Sequence, residues 1–197
     1  MRRLQAIAQS GLTFADGVFD RQRYEEVRRI AAEMAAHPSA DPDSIASVFS
    51  GLRGYATPLL IARGAVFDPD QRILMVREAA DGRWTLPGGW IDVGEPPSKS
   101  VEREIREESG YLARAIKLAA VFDKLRHPYP AAPQHAYLLF FVCELLGGEP
   151  TTSVETTEVG WFGEGDIPDL SLGRIIPAHV RRMFDHLRDP ALATDFD

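Results

Sequence analysis

Two hydrophobic rhythms divide the chain. Up to about residue 52 apolar positions recur at helical spacing. In Tyr24 to Met34, Val27, Ile30, Ala31 and Met34 fall at i, i+3, i+4 and i+7, the stripe of an amphipathic helix. A second, shorter helix is expected after a break at His37-Pro38, with Asp43 or Ser44 near its start and Ile45, Val48, Phe49 and Leu52 facing inward. From about residue 55 the rhythm changes to β-branched and aromatic runs bounded by turn residues, beginning with Leu59 to Phe67 and the turn Asp68-Pro69-Asp70. Further strands are predicted at 73–76, 115–122, 136–145 and 157–162, and helices at about 97–109 and 177–188. The mixture predicts an α/β class, either α+β or an α/β/α sandwich. The boundary is expected between Gly51 and Thr57, giving a helical extension over 1–54 and a second domain over 55–190. Between two strand runs, the proline-rich His127 to Pro133 reads as a restricted loop.

Charge narrows the functional classes. A net charge of -7 argues against a surface that gathers nucleic acid by neutralising phosphates. Residues 1–53 carry seven arginines against seven acids, so the helical segment is a poor DNA-binding head; packing or dimerisation is the better expectation. An anionic small molecule would need a cation or a few placed arginines to approach such a chain. With Cys143 as the single cysteine no internal disulfide can form, and its apolar surroundings predict a buried, inert thiol. Gln5, Gln9 and Ser10 interrupt the apolar segment a signal peptide requires after Arg2-Arg3, and no stretch reaches the ~18 apolar residues of a membrane span. A cytoplasmic location and no membrane partner are expected.

The chemistry gathers where Gly88-Gly89-Trp90-Ile91-Asp92-Val93-Gly94-Glu95 feeds the segment Ser98 to Gly110. Pro97 suits the first turn of a helix, and Gly110 stands where a left-handed residue would end it. At about 100° per residue Glu104, Glu107 and Glu108 crowd onto one side, while Val101 and Ile105 form an apolar edge beside them. Three neighbouring carboxylates repel one another, and a hard divalent cation would turn that repulsion into coordination. Arg103, four residues before Glu107, can pair with it. Taken alone, such a helix reads as a solvated face.

The upstream spacing changes that reading. Gly89, Glu95, Arg103, Glu104, Ile105, Glu107, Glu108, Gly110 and Tyr111 fit G-x5-E-x7-R-E-U-x-E-E-x-G-U, where U is bulky and apolar; eight of the nine positions match outright and Tyr111 puts an aromatic in the last. This segment resembles the Nudix box. The resemblance extends through Trp84 to Gly89 upstream and Glu158 to Phe162 downstream. Leu4 to Gln9 followed by Tyr24 to Val27 is similar to the helical extension of a Nudix subgroup that hydrolyses X-linked nucleoside diphosphates.

The resemblance implies a Nudix-type α/β/α sandwich with a mixed sheet, preceded by a small helical unit, and a metal-dependent hydrolase. Magnesium or manganese would be held by Glu104 and Glu108 with a backbone carbonyl from the Gly88-Gly89 turn, Glu107 serving as a further ligand or as the base for water. It also implies that Glu95 supports the metal shell and Arg103 orients the glutamates. Some members take their base from outside the box, for which Glu155 and Glu158 are the candidates. Arg63, Lys124, Arg126 and His127 are the candidate phosphate binders. The expected substrate is a nucleoside diphosphate linked to another moiety, of the ADP-ribose or CDP-choline type, and the expected assembly a homodimer. The alternatives are a nucleoside triphosphate pyrophosphatase and a noncatalytic nucleotide-sensing module.

Overall fold

The computed structural model describes residues 1–36, 41–132 and 134–197. The expected break at His37-Pro38 lies outside the described residues. Two compact units are present, Met1–Pro58 with Ala131–His135, and Leu59–Pro130 with Ala136–Asp197.

The first unit is built from α1 (Arg2–Phe14), α2 (Val18–Ala36) and α3 (Pro42–Gly51). Asp41, two residues before the earlier of the expected starts, caps α3 by accepting from the amides of Asp43 and Ser44, with Pro42 in the first turn. The core is small: Ala31, Ala32 and Ala36 of α2 against Ile45 and Phe49 of α3. That inner face is rotated from the predicted stripe, since Ile30 and Met34 are exposed, as is Val48 of α3. Alanines allow close helix approach and the larger residues of the stripe are left outside. The segment Ala131–His135 belongs to this unit, where Arg2 donates to the Ala132 carbonyl at 3.0 and 2.6 Å.

In the second unit, β1 (Leu59–Val66), β5 (Ala136–Gly148), β4 (Tyr111–Asp123) and β7 (Asp195–Phe196) make a mixed sheet in the order β1-β5-β4-β7. β1 runs parallel to β5, with Arg63 opposite Phe140; β4 is antiparallel to β5. A second, antiparallel sheet has the order β3-β2-β6, from β3 (Trp84–Thr85), β2 (Ile73–Glu78) and β6 (Thr156–Phe162). Two helices cover the strands, α4 (Pro97–Ser109) and α5 (Pro177–Arg188). β1 is buried on both faces and its alternation sorts the core: Ala62 and Val66 pack with Val101 and Ile105 of α4, whereas Ile61 and Ala65 join Val180, Met183 and Phe184 of α5. At Gly64 a Cβ would meet Ile105 Cδ1 at 2.6 Å, so this glycine lets α4 lie close on β1. Cys143 is buried, and burial pushes its thiol up to about 12, as an inert core residue requires.

Candidate active site

Helix α4 begins with Pro97 in its first turn and ends at Gly110, which adopts the left-handed conformation at φ 77°. Val101, Ile105 and Glu108 are buried along one side, which orders the three carboxylates by depth. Glu108 is innermost, Glu104 is half-buried, and Glu107 is at the rim. The Gly88 amide donates to Glu108 Oε2 at 2.8 Å. Burial raises the Glu108 carboxyl to about 7, against the pull of Arg63 and the Gly88 amide. Burial raises Glu104 too, opposed by Arg103.

Arg103 lies among the acids. It donates to both oxygens of Glu95 at 3.1 and 3.0 Å, and to Glu104 and Glu107 at 2.9 Å each. The bidentate pair holds Glu95 below the usual carboxylate range. Among the described residues no three His, Cys, Asp or Glu side chains are grouped as a ready metal cage. The guanidinium relieves the carboxylate repulsion instead. The residues nevertheless fit a hard divalent cation. All donors are oxygens, Glu104 and Glu108 are carboxyls that burial raises against the opposing pull of Arg103 and Arg63, and a Cβ at Gly89 would sit 2.9 Å from Glu104 Oε1, so only glycine leaves its backbone open beside that carboxylate.

These side chains face a cleft of about 360 Å³ lined by Gly89, Glu104, Glu107, Glu108 and, as a further wall from the loop that precedes β6, Ser153 to Glu155. The wall is fixed locally: Ser153 Oγ accepts from the amides of Glu155 and Thr156, and Thr156 Oγ1 donates to the Glu108 carbonyl at 2.8 Å. Glu158 is placed elsewhere. It is a strand residue of β6 opposite Arg77 of β2 and ion-pairs with it. The antiparallel register determines that partner, and of the two expected candidates for a base only Glu155 lines this cleft.

The predicted phosphate binders separate. Arg63 is buried, 5% exposed, and its Nη1 donates to the carbonyls of Leu86, at 3.0 Å, and Gly88. It braces backbone and does not present a surface cation. Lys124, half-buried, donates to the Gly173 carbonyl at 2.6 Å and stands 5.0 Å over the Tyr129 ring. Burial, then Arg63 and Arg174, lowers its ammonium. Arg126 is exposed. His127 Nε2 lies 3.0 Å from Asp197, and its Nδ1 lies 3.2 Å from His179 Nε2, while His179 Nδ1 lies 3.0 Å from the Tyr129 hydroxyl. Lys124 to Arg126 form a single 3-10 turn, with three residues per turn, so consecutive side chains point to different sides.

Sequence reasoning missed Glu78 and Arg174. Glu78 ends β2, is 5% exposed and accepts from Arg174 Nε at 2.8 Å. Burial raises its carboxyl, opposed by Arg174 and then Arg63. An acid closing a strand whose first four residues are apolar was the available signal.

Comparison with known proteins follows the same division. Residues 58–183 match the family model described as the NUDIX domain, and residues 1–49 match one described as the UDP-X-like, N-terminal oligomerisation domain. The Bacillus subtilis (strain 168) protein named "Putative ADP-ribose pyrophosphatase YjhB" is 42% identical over 197 residues, covering 100% of this chain and 94% of that protein. The crystal structure of UDP-X diphosphatase superposes with a TM-score of 0.66 at 31% identity, covering 100% of this chain and 95% of its own. An ADP-ribose pyrophosphatase from Streptococcus suis 89-1591 gives a TM-score of 0.65 at 36% identity, covering 72% of this chain and 100% of its own. The spacing from Gly89 to Tyr111, the carboxylate helix it encodes and the relatedness along the whole chain have one explanation, that this protein belongs to the Nudix hydrolase family.

Proposed function

We propose that this protein is a pyrophosphohydrolase that cleaves the phosphoanhydride bond of a nucleoside diphosphate linked to another moiety, of the ADP-ribose or CDP-choline type. Water attacks one phosphorus, the bridging P–O bond breaks, and a nucleoside monophosphate leaves with a phosphorylated second product. The observation that carries this reading is the one cleft that Glu104, Glu107, Glu108 and Glu155 line together. Relatives along the full chain named as ADP-ribose pyrophosphatase and UDP-X diphosphatase support the substrate class.

Glu104, Glu107 and Glu108, with the backbone at Gly89, would hold magnesium or manganese. Such an ion supplies neutralisation of the diphosphate and acidification of a bound water. Arg103 orients Glu104 and Glu107 and, through Glu95, ties them to the entry loop. Glu155 accepts the proton of the attacking water, with Glu107 as the alternative acceptor at the rim. Lys124, joined by Arg174, attracts the anionic substrate, both lying in the electrostatic neighbourhood of Arg63. The protein works as a cytoplasmic homodimer held by its N-terminal helices, which match the oligomerisation domain model; no described helix is long and apolar enough to cross a membrane.

A panel of nucleotides with magnesium, its products identified by mass, tests the assignment. Turnover of ADP-ribose, a UDP-sugar or CDP-choline to the nucleoside monophosphate is expected. Cleavage confined to nucleoside triphosphates would overturn it.

A further inference from the structure

β1 is an apolar strand buried on both faces, and an arginine at its centre is out of place unless something there requires it. The requirement is the turn that enters the carboxylate helix. Ala62 N–H donates to the Gly89 carbonyl at 3.0 Å and Gly64 N–H to the Pro87 carbonyl at 2.9 Å. Between them, Arg63 Nη1 reaches the carbonyls of Leu86 and Gly88. Four consecutive carbonyls, Leu86 to Gly89, are thus held alternately by the backbone and the one side chain of a three-residue stretch. The peptide groups of Gly88 are held on both sides, since its amide donates to Glu108 and its carbonyl accepts from Arg63.

We infer that Arg63 is a positioning residue for the proposed hydrolysis, fixing the Gly88-Gly89 turn against Glu108 from beneath without touching substrate. The inference rests on the functional reading above. It is supported by where Arg63 is not: the cleft is lined by Gly89, Glu104, Glu107 and Glu108, whereas Arg63 lies behind the turn, 95% buried by its 5% exposure. The guanidinium suits the place because it spans two carbonyls in fixed geometry and stays charged, where an ammonium on a flexible stem is a point donor. Burial lowers its proton affinity, and Glu108 and then Glu78 oppose that only in part. Among the described residues no hydrogen-bond partner reaches its buried Nε, and the contacts that the guanidinium makes with the turn run through Nη1.

The test compares wild type, Arg63→Lys and Arg63→Met in three measurements: thermal unfolding, Mn2+ affinity of the substrate-free protein by electron paramagnetic resonance, and kcat and KM on the substrate that the panel identifies. Loss of a residue that orients a metal site weakens metal affinity or activity about 10- to 100-fold. For folded Arg63→Met, Mn2+ affinity and kcat should both fall in that range while KM moves less than about threefold, and Arg63→Lys should recover only part of the loss. A raised KM with unchanged kcat and Mn2+ affinity would make Arg63 a substrate ligand and overturn the proposal. If Arg63→Met does not fold, Arg63→Lys decides, and wild-type Mn2+ affinity and kcat in that variant would overturn it equally. Failure of wild type to turn over any diphosphate-linked nucleotide would refute the functional reading, yet the Mn2+ measurement would still decide the role of Arg63.

Discussion

The Gly88 amide donates to Glu108 Oε2 at 2.8 Å, and this single bond joins the glycine turn to the helix that carries the acids. It also fixes a buried carboxyl whose proton comes off at about 7, above its ordinary value of 4.5, because burial outweighs the amide and Arg63. A raised folded-state value means the native protein binds a proton that the unfolded chain releases. The contribution is fully present below the unfolded value and is lost as pH rises through about 7. In the presence of chelator, the unfolding temperature should therefore fall between pH 5 and 8, with a penalty on the order of 3 kcal/mol. Glu108→Gln, which keeps the acceptor and removes the charge, should flatten the slope. A wild-type curve as flat as that of the variant would refute the assignment.

The two glycines of the turn should fail differently. Gly88 has φ +140°, and a Cβ there would meet the Ala62 carbonyl oxygen at 2.1 Å, a clash with backbone that cannot swing away. Gly88→Ala should cost about 3 kcal/mol or more through strain, roughly 10 °C in unfolding temperature for a domain of this size. At Gly89 the Cβ would meet the Glu104 carboxylate at 2.9–3.0 Å, the end of a side chain that can rotate. Gly89→Ala should melt near wild type yet bind Mn2+ more weakly, and calorimetry with metal titration separates the two.

The carboxylate helix was readable because proline at one end and glycine at the other mark its limits, and the bounds Pro97–Ser109 agree with that reading. Strands β3 and β7, two residues each, are too short for any period to show. Burial of Arg63 was hidden for another reason. A strand covered on both faces has no polar alternation to contradict, so an arginine in it resembles a surface residue until its carbonyl partners, more than 20 positions away, are known. The partner of Glu158 was not legible because the register pairing it with Arg77 joins residues 81 positions apart. On α2, alanine fits either face, and the larger apolar residues drew the stripe away from the side that packs.

Glu155 and Glu158 offer a direct contrast in kinetics. Glu155 lines the cleft together with the carboxylate helix, and removal of a general base slows turnover by about 100-fold or more. Glu155→Gln should show that loss in kcat with normal folding. Glu158 forms a solvent-facing pair with Arg77, and such pairs contribute at most about 1 kcal/mol. Glu158→Gln should retain wild-type kcat; the reverse pattern would move the base to β6.

Lys124 and Arg126 are two positions apart and should differ in KM. Lys124 is turned inward near Arg63 and Arg174, and a charge-assisted bond to an anion is worth about 1.5–3 kcal/mol, or roughly 10- to 100-fold in affinity. Lys124→Met should raise KM within that range. Arg126 is exposed, and Arg126→Met should leave KM unchanged. Equal effects at the two positions would show that the substrate senses only the general charge of the surface.

The N-terminal helices leave apolar surface uncovered. Phe14 is 68% and Phe19 75% exposed around the α1–α2 connection, and Ile30 and Met34, one turn apart on α2, are exposed on the side away from the alanine core. Scattered single residues of this kind are common, but four large ones on so small a helical unit, which matches an oligomerisation domain model, point to an association surface. Light scattering should therefore give a dimer mass for wild type. Phe19→Glu with Met34→Glu should give a monomer, because burying two carboxylates without partners opposes association more than lost contact area alone. A wild-type monomer at assay concentration would remove the proposed dimer, and a double variant that stays dimeric would move the interface off these helices.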